Sequence, residues 1–335
     1  MAEARRGRVA SLDPASYRRH RIHGEDRIWS ETNCSTDLFV ELLHGLGHEP
    51  VAMLPFTLAI DFEGDQWTFF KPPHSDILDL YGLDIQELAT WRPLVEHVAE
   101  QVSRGHPVLV ELDSFYLPDT SGTAYRRVHQ KTTVGVNEID CDAGVMGYFH
   151  NQGYFAVGGA DFRELFMLDG PSDERVLPPY AEFVKATPGF VAHRPRALVE
   201  ASIAAMGRQL TRMPGTNPFT RFRERLENDL PVLLAADLEH FHRYSFATLR
   251  QFGSCFELAE TYLGWLGEQG VGGLEVSRDA FQSISQAAKA FQFQLARSMT
   301  RARPIDLAPL DVMAAYWETA AMLLQSRYAG TPQLA

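Results

Sequence analysis

The stretch SETNCSTDLFVELLHGLG, residues 30–47, predicts a buried helix that begins beside a cysteine. Its apolar residues recur at the spacing of one helix face and are Leu38, Phe39, Leu42, Leu43 and Leu46. Thr32 and Asn33 are residue types that cap helix N-termini. Cys34 is then expected in the first turn, where unpaired N–H groups and the helix dipole favour a thiolate. A cysteine there is more often a small packing residue, so this stretch alone leaves both roles open.

The composition is that of an ordinary globular protein. The 335-residue chain is 45% hydrophobic, and its formal charge of -12 argues against a general nucleic-acid binder, because phosphate binding needs an excess of Lys and Arg. No stretch approaches the roughly 18 apolar residues of a membrane span, and the first residues lack the apolar run of a secretory signal. Cys34, Cys141 and Cys255 are too few and too scattered for a disulfide framework or a zinc site. We therefore expect a reduced, cytoplasmic protein with no metal and no nucleic-acid or membrane partner.

Hydrophobic patterning predicts two domains. Helix-spaced residues predict a helix over 84–104, with a kink or a new start at Pro93. Runs rich in β-branched and aromatic residues predict a meander of strands over residues 106–118, 128–140 and 145–157. Beyond about residue 190, helical patterns recur between Pro and Gly breaks. The chain is therefore predicted as an α+β domain over 1–190 and an all-helical domain over 191–335.

The order of these elements suits a cysteine nucleophile, which needs a base and a group that orients the base. In papain-like folds the Cys opens a long helix, the His comes from the antiparallel sheet packed on that helix, and an Asn or Asp on a neighbouring strand orients the His. Cys34, His129 and Asn151 occur in that order. Counting along the predicted hairpin sets Asn151 opposite Thr133, about 13 Å from the level of His129. The order predicts a papain-like α+β domain with a Cys34–His129 pair, which Asn151 joins only if the hairpin contains a bulge or closes early.

Several segments together resemble a bacterial family of unknown function, whose members occur beside acyl-carrier proteins and synthetase-like ligases that load amino acids onto them. The segments are TNCSTDLFVELLHGLG, FTLAIDFEGDQWTFFKPP, VELDSFYLPDTSGTAY, HQKTTVGV and GYFHNQGYF, and the resemblance covers roughly residues 15–270. A more distant similarity, through the cysteine, the Asp113–Pro118 segment and the His-led strand, is to butirosin biosynthesis protein H. That protein is an acyltransferase that moves an aminoacyl chain from a carrier protein to an amine.

The resemblance implies an acyl or aminoacyl transferase with Cys34 as nucleophile, His129 as base and Asn151 as third residue. The butirosin-type pattern has Asp at that third position and a shorter hairpin. The acyl group would pass from a carrier-protein thioester to an amine through an acyl-Cys34 intermediate. Phosphopantetheine would come with the acyl or aminoacyl carrier protein, so the resemblance implies no cofactor of the protein's own. An amino acid:carrier-protein ligase is a second implied partner.

The chemistry of such a transfer suggests further site residues. A developing oxyanion needs two donors, which the Cys34 backbone N–H and the side chain of Asn33 or Gln130 could supply. Asp113 is a candidate to bind the acceptor amine, or else the start of an Asx-type turn. With water as acceptor the same site would be a cysteine hydrolase, that is, a thioesterase, amidase or peptidase. A non-catalytic carrier-protein-binding protein is the remaining alternative.

Overall fold

The computed structural model of the chain describes residues 5–170, 179–301 and 305–329. Its strands are β1 Arg6–Arg8, β2 Phe62–Glu63, β3 Gln66–Trp67, β4 Leu83–Glu87, β5 Val108–Asp113, β6 Lys131–Asp140, β7 Val145–His150, β8 Gly153–Gly158 and β9 Ala181–Ala186. Its helices are α1 Cys34–Gly45, α2 His74–Tyr81, α3 Leu94–Ser103, α4 Gly159–Leu165, α5 Pro195–Leu210, α6 Pro218–Ala235, α7 Leu238–Ala247, α8 Leu249–Glu268, α9 Glu275–Arg301 and α10 Ala308–Tyr328. The predicted combination of an α+β part and a helical C-terminal part is confirmed.

The chain forms two compact units whose segments alternate along the sequence. Unit 1 takes the chain up to Gly24 and then residues 33–50 and 77–192. Unit 2 takes residues 25–32 and 51–76 and the chain from His193 onward. The sequence predicts a single boundary near residue 190 and does not anticipate the two early segments of unit 2. Residues 330–335 of the predicted helical domain lie outside the described residues.

Unit 1 is built on a seven-stranded antiparallel sheet. Six strands follow the order β4-β9-β5-β6-β7-β8, and β1 pairs with the far end of β6. The β5–β6 pairing runs from Val108 opposite Val136 to Asp113 opposite Lys131. Between β6 and β7 the register shifts at a bulge around Asn137. The predicted antiparallel meander is therefore present, with a bulge in its second hairpin.

The sheet of unit 1 has two packing faces, because successive side chains of a strand point to opposite sides. One face packs with α3 and α4 and includes Val108, Val110, Val134, Val136, Val98, Val102 and Phe162. On the other face α1 comes so close that a Cβ atom on Gly135 would lie 3.1 Å from Leu38 Cδ1 and 3.6 Å from Leu109 Cδ2. Alternation along β5 places Asp113 on the same face as Leu109. The sheet thus presents Asp113 on its α1 face.

Helix α1 begins where its sequence predicts. The Asn33 side chain accepts a hydrogen bond from the Thr36 N–H at 2.9 Å, which caps the helix, and Asp37 lies in the first turn. The helix ends at Gly45, and Gly47 continues the chain with a φ of 83°, a conformation that favours glycine. Cys34 is therefore the first residue of α1, as expected.

Two other predicted elements differ from the structure. The helix predicted over 84–104 is the strand β4 followed by α3, with Pro93 at the N-cap. Leu83 and Ile85 alternate with polar residues and pair with β9. The helix-spaced apolar residues that follow in the chain hide this alternation. The single strand predicted over 145–157 is divided into β7 and β8 by a two-residue turn.

Unit 2 combines a small hairpin with the C-terminal helices. Trp67 of the β2–β3 hairpin packs its indole 4.8 Å from the ring of Phe252 on α8 and also contacts Phe219 and Phe222 of α6. Phe252 and Phe256 of α8 are fully buried, and α8 packs along α9. The residues of the hairpin thus contribute to the aromatic core of the helical unit.

The buried side of α1 carries an ionic cluster. His23 Nε2 lies 3.2 Å from Asp37 Oδ1, its Nδ1 bonds Glu41, and Tyr17 donates to Glu41 at 2.7 Å. His23 and both carboxylates are buried. Burial alone opposes a charged imidazole, but the hydrogen bonds and charges of the two carboxylates outweigh it and raise the pKa of His23. At Glu41 burial is likewise outweighed, mainly by His23, and the pKa is lowered. The cluster fixes the chain before α1 to the helix that begins with Cys34.

His23→Gln is expected to destabilise unit 1 by roughly 3 kcal/mol near neutral pH, because two buried carboxylates lose their cationic partner. In the wild type, the stabilisation from the raised pKa of His23 is fully present below pH 6.5 and is lost as the pH rises through that raised pKa. The stabilisation from Glu41 is present above pH 4.5 and is lost as the pH falls through its lowered pKa.

Urea unfolding as a function of pH measures these losses. The alkaline loss should disappear in His23→Gln and persist in His44→Gln, which replaces an imidazole on α1 that bonds a backbone carbonyl and no carboxylate. An alkaline loss of equal size in His23→Gln would contradict the ionic role of His23.

Candidate active site

Cys34 is a half-buried free thiol at the start of α1. The Thr36 N–H is taken by the Asn33 side chain, and the Asp37 N–H by the Asn33 carbonyl at 3.0 Å. Within the described part of the chain, no acceptor bonds the N–H of Cys34 or Ser35. Two donors therefore remain open beside the thiol, at the positive end of the helix dipole. Asn33, predicted as an auxiliary oxyanion donor, uses its side-chain oxygen as the helix cap.

His129 is held by Asp113 and by a stacked aromatic ring. The distance between His129 Nδ1 and Asp113 Oδ2 is 2.6 Å. The Phe115 ring stacks on the imidazole with centroids 4.2 Å apart and planes 12° from parallel. The His129 side chain is 64% exposed, and no described residue bonds its Nε2. The imidazole is thus oriented through Nδ1 and one ring face, while Nε2 remains available for proton transfer.

Asp113 and His129 meet where β5 ends and the chain returns to begin β6. Asp113 ends β5, and its Oδ1 accepts from the N–H of Phe115 at 3.0 Å and of Gln130 at 3.2 Å. Ser114 donates its N–H and its hydroxyl to the Gln130 carbonyl, each at 2.9 Å. Asp113 therefore begins an Asx-type turn, as one predicted alternative had it, and also bonds the imidazole. Gln130, predicted as an oxyanion donor, joins the hairpin through its backbone, and its side chain is exposed.

The predicted pairing of His129 with Asn151 is not formed. Asn151 is the first residue of the two-residue turn between β7 and β8, with a φ of 46°. Beyond the bulge Gly135 pairs with Phe149, and continuing that register sets Asn151 level with Thr133, about 13 Å along the strand from His129. The backbone requirement of a tight turn explains the asparagine, because Asn tolerates a positive φ. In the structure Asp113, and not Asn151, bonds the His129 imidazole.

Helix α1 and the side chain of Asp113 share one face of the sheet. Helix α1 packs on the face that carries Leu109, Gly135 and Asp113. Asp113 Oδ2 bonds His129, whose ring also contacts the rings of Phe115 and Tyr116. The Phe115 stack and the role of Asp113 are the features that sequence reasoning missed. Their only local signal is the polar end of a strand, at Asp113, followed at once by aromatic residues.

The described residues contain neither a membrane-spanning helix nor a metal-binding cluster. Across residues 5–170, 179–301 and 305–329, none of the helices has both the length and the apolar character needed to cross a membrane. The same residues contain no group of three or more His, Cys, Asp or Glu side chains arranged to bind a metal ion.

The other two thiols differ from Cys34 in their surroundings. Burial raises the pKa of Cys141, and complete burial raises the pKa of Cys255 further. Both are therefore protonated and poor nucleophiles near neutral pH. They serve as internal references for the reactivity of Cys34.

Iodoacetamide near neutral pH is expected to label Cys34 before Cys141 and Cys255, because Cys34 lies at a helix N-terminus and burial raises the pKa of the other two thiols. Peptide mass mapping over time gives the three rates. Cys34→Ser should abolish the early label and Cys141→Ser should retain it. Equal rates at Cys34 and Cys141 would contradict an activated Cys34.

Asp113→Asn is expected to slow Cys34 alkylation near neutral pH by about tenfold, because the imidazole loses its anionic partner and its orientation. Asn151→Gly should leave the rate unchanged, since glycine accepts the positive φ of the turn. The pH profile of Cys34 alkylation measures both. The opposite result, with a slow Asn151→Gly and a normal Asp113→Asn, would restore Asn151 as the orienting residue.

Comparison with known protein families identifies the chain. Residues 18–186 match the DUF1839 N-terminal domain, and residues 195–326 match the DUF1839 C-terminal domain. Comparison with curated proteins finds no match. The two family matches together cover well over half of the sequence. The chain belongs to the DUF1839 family, a family of unknown function.

Proposed function

We propose that the protein is a cysteine-dependent acyl or aminoacyl transferase, with Cys34 as nucleophile, His129 as base and Asp113 as the residue that orients the base. The observation that carries the proposal is the His129–Asp113 pair, at 2.6 Å, at the end of β5 in the same sheet on which the Cys34 helix packs. A helix that starts with the nucleophile and an antiparallel sheet that supplies the base are the parts of a papain-like site. We therefore propose a papain-like arrangement of unit 1.

The proposed reaction has two steps. The Cys34 thiolate attacks the carbonyl carbon of a thioester, the bond from that carbon to the donor sulfur breaks, and the donor thiolate takes a proton from the His129 imidazolium. An amine then attacks the acyl-Cys34 carbonyl, neutral His129 accepts the amine proton, and the Cys34 thiolate leaves. The first step exchanges one thioester for another, so it is nearly isoenergetic.

The open N–H groups at the start of α1 support this reaction. Each step passes through a tetrahedral oxyanion, which preorganised N–H donors stabilise. The N–H groups of Cys34 and Ser35 have no acceptor among the described residues and point along the helix axis. They would supply the two donors, without a contribution from the Asn33 or Gln130 side chains.

The donor in this proposal is an acyl or aminoacyl carrier protein, whose phosphopantetheine arm presents the thioester. An amino acid:carrier-protein ligase would load that carrier. Both partners rest on the resemblance of the sequence segments around Cys34, Asp113 and His129 to proteins that occur beside such carriers. A thioester on a mobile arm suits a nucleophile at a helix end, because the arm carries the acyl group to the thiol.

A second candidate, hydrolysis by the same residues, is favoured by one observation. The His129 side chain is 64% exposed within the described residues, so water has access to the base. A transferase must exclude water while the amine attacks. The exposure of His129 therefore makes a thioesterase, amidase or peptidase the competing function.

Intact-mass measurement distinguishes these functions. The protein is incubated with a carrier protein that bears an isotopically labelled aminoacyl thioester, with and without hydroxylamine as a test amine. The wild type and the control Cys141→Ala should gain the mass of the acyl group, and Cys34→Ala should not. Transfer to hydroxylamine above the uncatalysed rate seen with Cys34→Ala supports a transferase, and Cys34-dependent release to water alone supports a hydrolase. If no loaded carrier gives an adduct, a release or a transfer that depends on Cys34, both enzymes are contradicted and a non-catalytic binding protein remains.

A further inference from the structure

We propose that His150 is a positioning residue for the His129–Asp113 pair, acting through Thr132 and Asp119; the inference rests on the proposed function. His150 ends β7 and is 1% exposed. Its Nδ1 lies 2.6 Å from Asp119 Oδ2, and its Nε2 lies 2.7 Å from Thr132 Oγ1. The chain therefore contains a second imidazole–carboxylate pair with the same separation as the first, closed to solvent.

The hydrogen bonds around His150 engage both of its ring nitrogens. A carboxylate only accepts, so His150 Nδ1 donates to Asp119, while Nε2 bonds the Thr132 hydroxyl. Tyr148 donates its hydroxyl to Asp119 Oδ1 at 2.5 Å. Burial, together with the charge of Asp119, raises the pKa of Tyr148, which keeps that proton in place. The four side chains satisfy one another, and their burial keeps substrate away, so their role is to hold chain segments in place.

The segments that His150 holds are those that carry the site. Thr132 follows His129 by three residues, and Asp119 follows Asp113 by six. Because side chains alternate along β6, Thr132 points away from α1, to the face opposite Asp113. The Thr132–His150–Asp119 network, here called the buried bridge, and the exposed His129–Asp113 pair thus join the same two segments.

Further hydrogen bonds join these two segments. Ser114 donates twice to the Gln130 carbonyl, each at 2.9 Å. The Thr120 hydroxyl donates to the Ser114 carbonyl at 2.9 Å, which ties the residue after Asp119 back to the residue after Asp113. A shift of Asp119 would therefore be transmitted to Asp113 through this loop.

The buried bridge is needed because the exposed pair is weak. An ion pair in contact with water contributes about 0–1 kcal/mol, which does not hold an imidazole in one orientation. A buried network in which every polar group has a partner rigidifies its surroundings. The geometry of His129 is therefore set by the backbone on either side of it, and that backbone is held by His150.

Thr132→Val tests this inference, because valine keeps the shape and strand preference of threonine and removes only the hydroxyl that bonds His150. We expect Cys34 alkylation near neutral pH to slow by about tenfold, since small misplacements at a reacting group have large effects on rate. The pH profile should move toward that of His129→Ala. Thr132→Ser, which retains the hydroxyl, should restore the wild-type profile. If Thr132→Val does not fold, Asp119→Asn replaces it in this test, because it weakens the hydrogen bond between Asp119 and His150.

A matched control separates positioning from general stability. Val157→Ala removes buried methyl groups from the same core without touching a polar group. If Val157→Ala lowers the melting temperature as much as Thr132→Val and shifts the profile equally, the positioning role is excluded. A shift in His129→Ala but none in Thr132→Val or Asp119→Asn also overturns the inference, while the proposed function stands. No shift in His129→Ala means that the Cys34–His129 pair itself fails, and the inference falls with it.

Discussion

The antiparallel register of β5 against β6 is the constraint on which the candidate site depends. Pairing of Val108 with Val136 and of Val110 with Val134 buries valines against α3, and six residues of continuous pairing then set Asp113 opposite Lys131. A slip of one residue would turn the Asp113 carboxylate to the α3 face and bury it there. The hydrophobic core therefore decides on which face the carboxylate meets an imidazole. The position of Asp113 is a consequence of how the valines further along the same two strands pack.

Local signals made α1 and Cys34 predictable from the sequence. The apolar stripe, the capping Asn33 and the acidic first turn all act within one helix, and the helix begins at the expected residue. The new helix start predicted at Pro93 is confirmed, but the helix predicted before it is wrong because the pairing of β4 with β9 is not local. Residues 83–87 pair with a strand about 100 positions further along the chain, and no spacing within residues 84–104 records that partner. The spacing of apolar residues does not reveal secondary structure that residues far along the chain stabilise.

The same distinction explains the site. The order of Cys34 and His129 along the chain is visible in the sequence. The partner of His129 is not, because it depends on the path of residues 114–128, which bring His129 back to the end of β5. Asn151 enters the predicted site because it follows Cys34 and His129 in the papain-like order. In the structure it lies in the turn between β7 and β8, and its positive φ is a local reason for its identity. The sequence predicts Asp113 as an amine-binding residue or a turn start, but its bond to His129 follows only from the β5–β6 pairing.

The two imidazole–carboxylate pairs show how environment divides roles between identical chemical groups. In both pairs the nitrogen and oxygen atoms are 2.6 Å apart, but His129 is 64% exposed and His150 is 1% exposed. A buried imidazole with both nitrogens engaged has no route for its proton to a substrate, so it can only hold position. An exposed imidazole with a free Nε2 can exchange a proton, but solvent weakens the bond that orients it. Reactivity and rigidity therefore require two histidines, and the loop from Asp113 to Asp119 is short enough to join them.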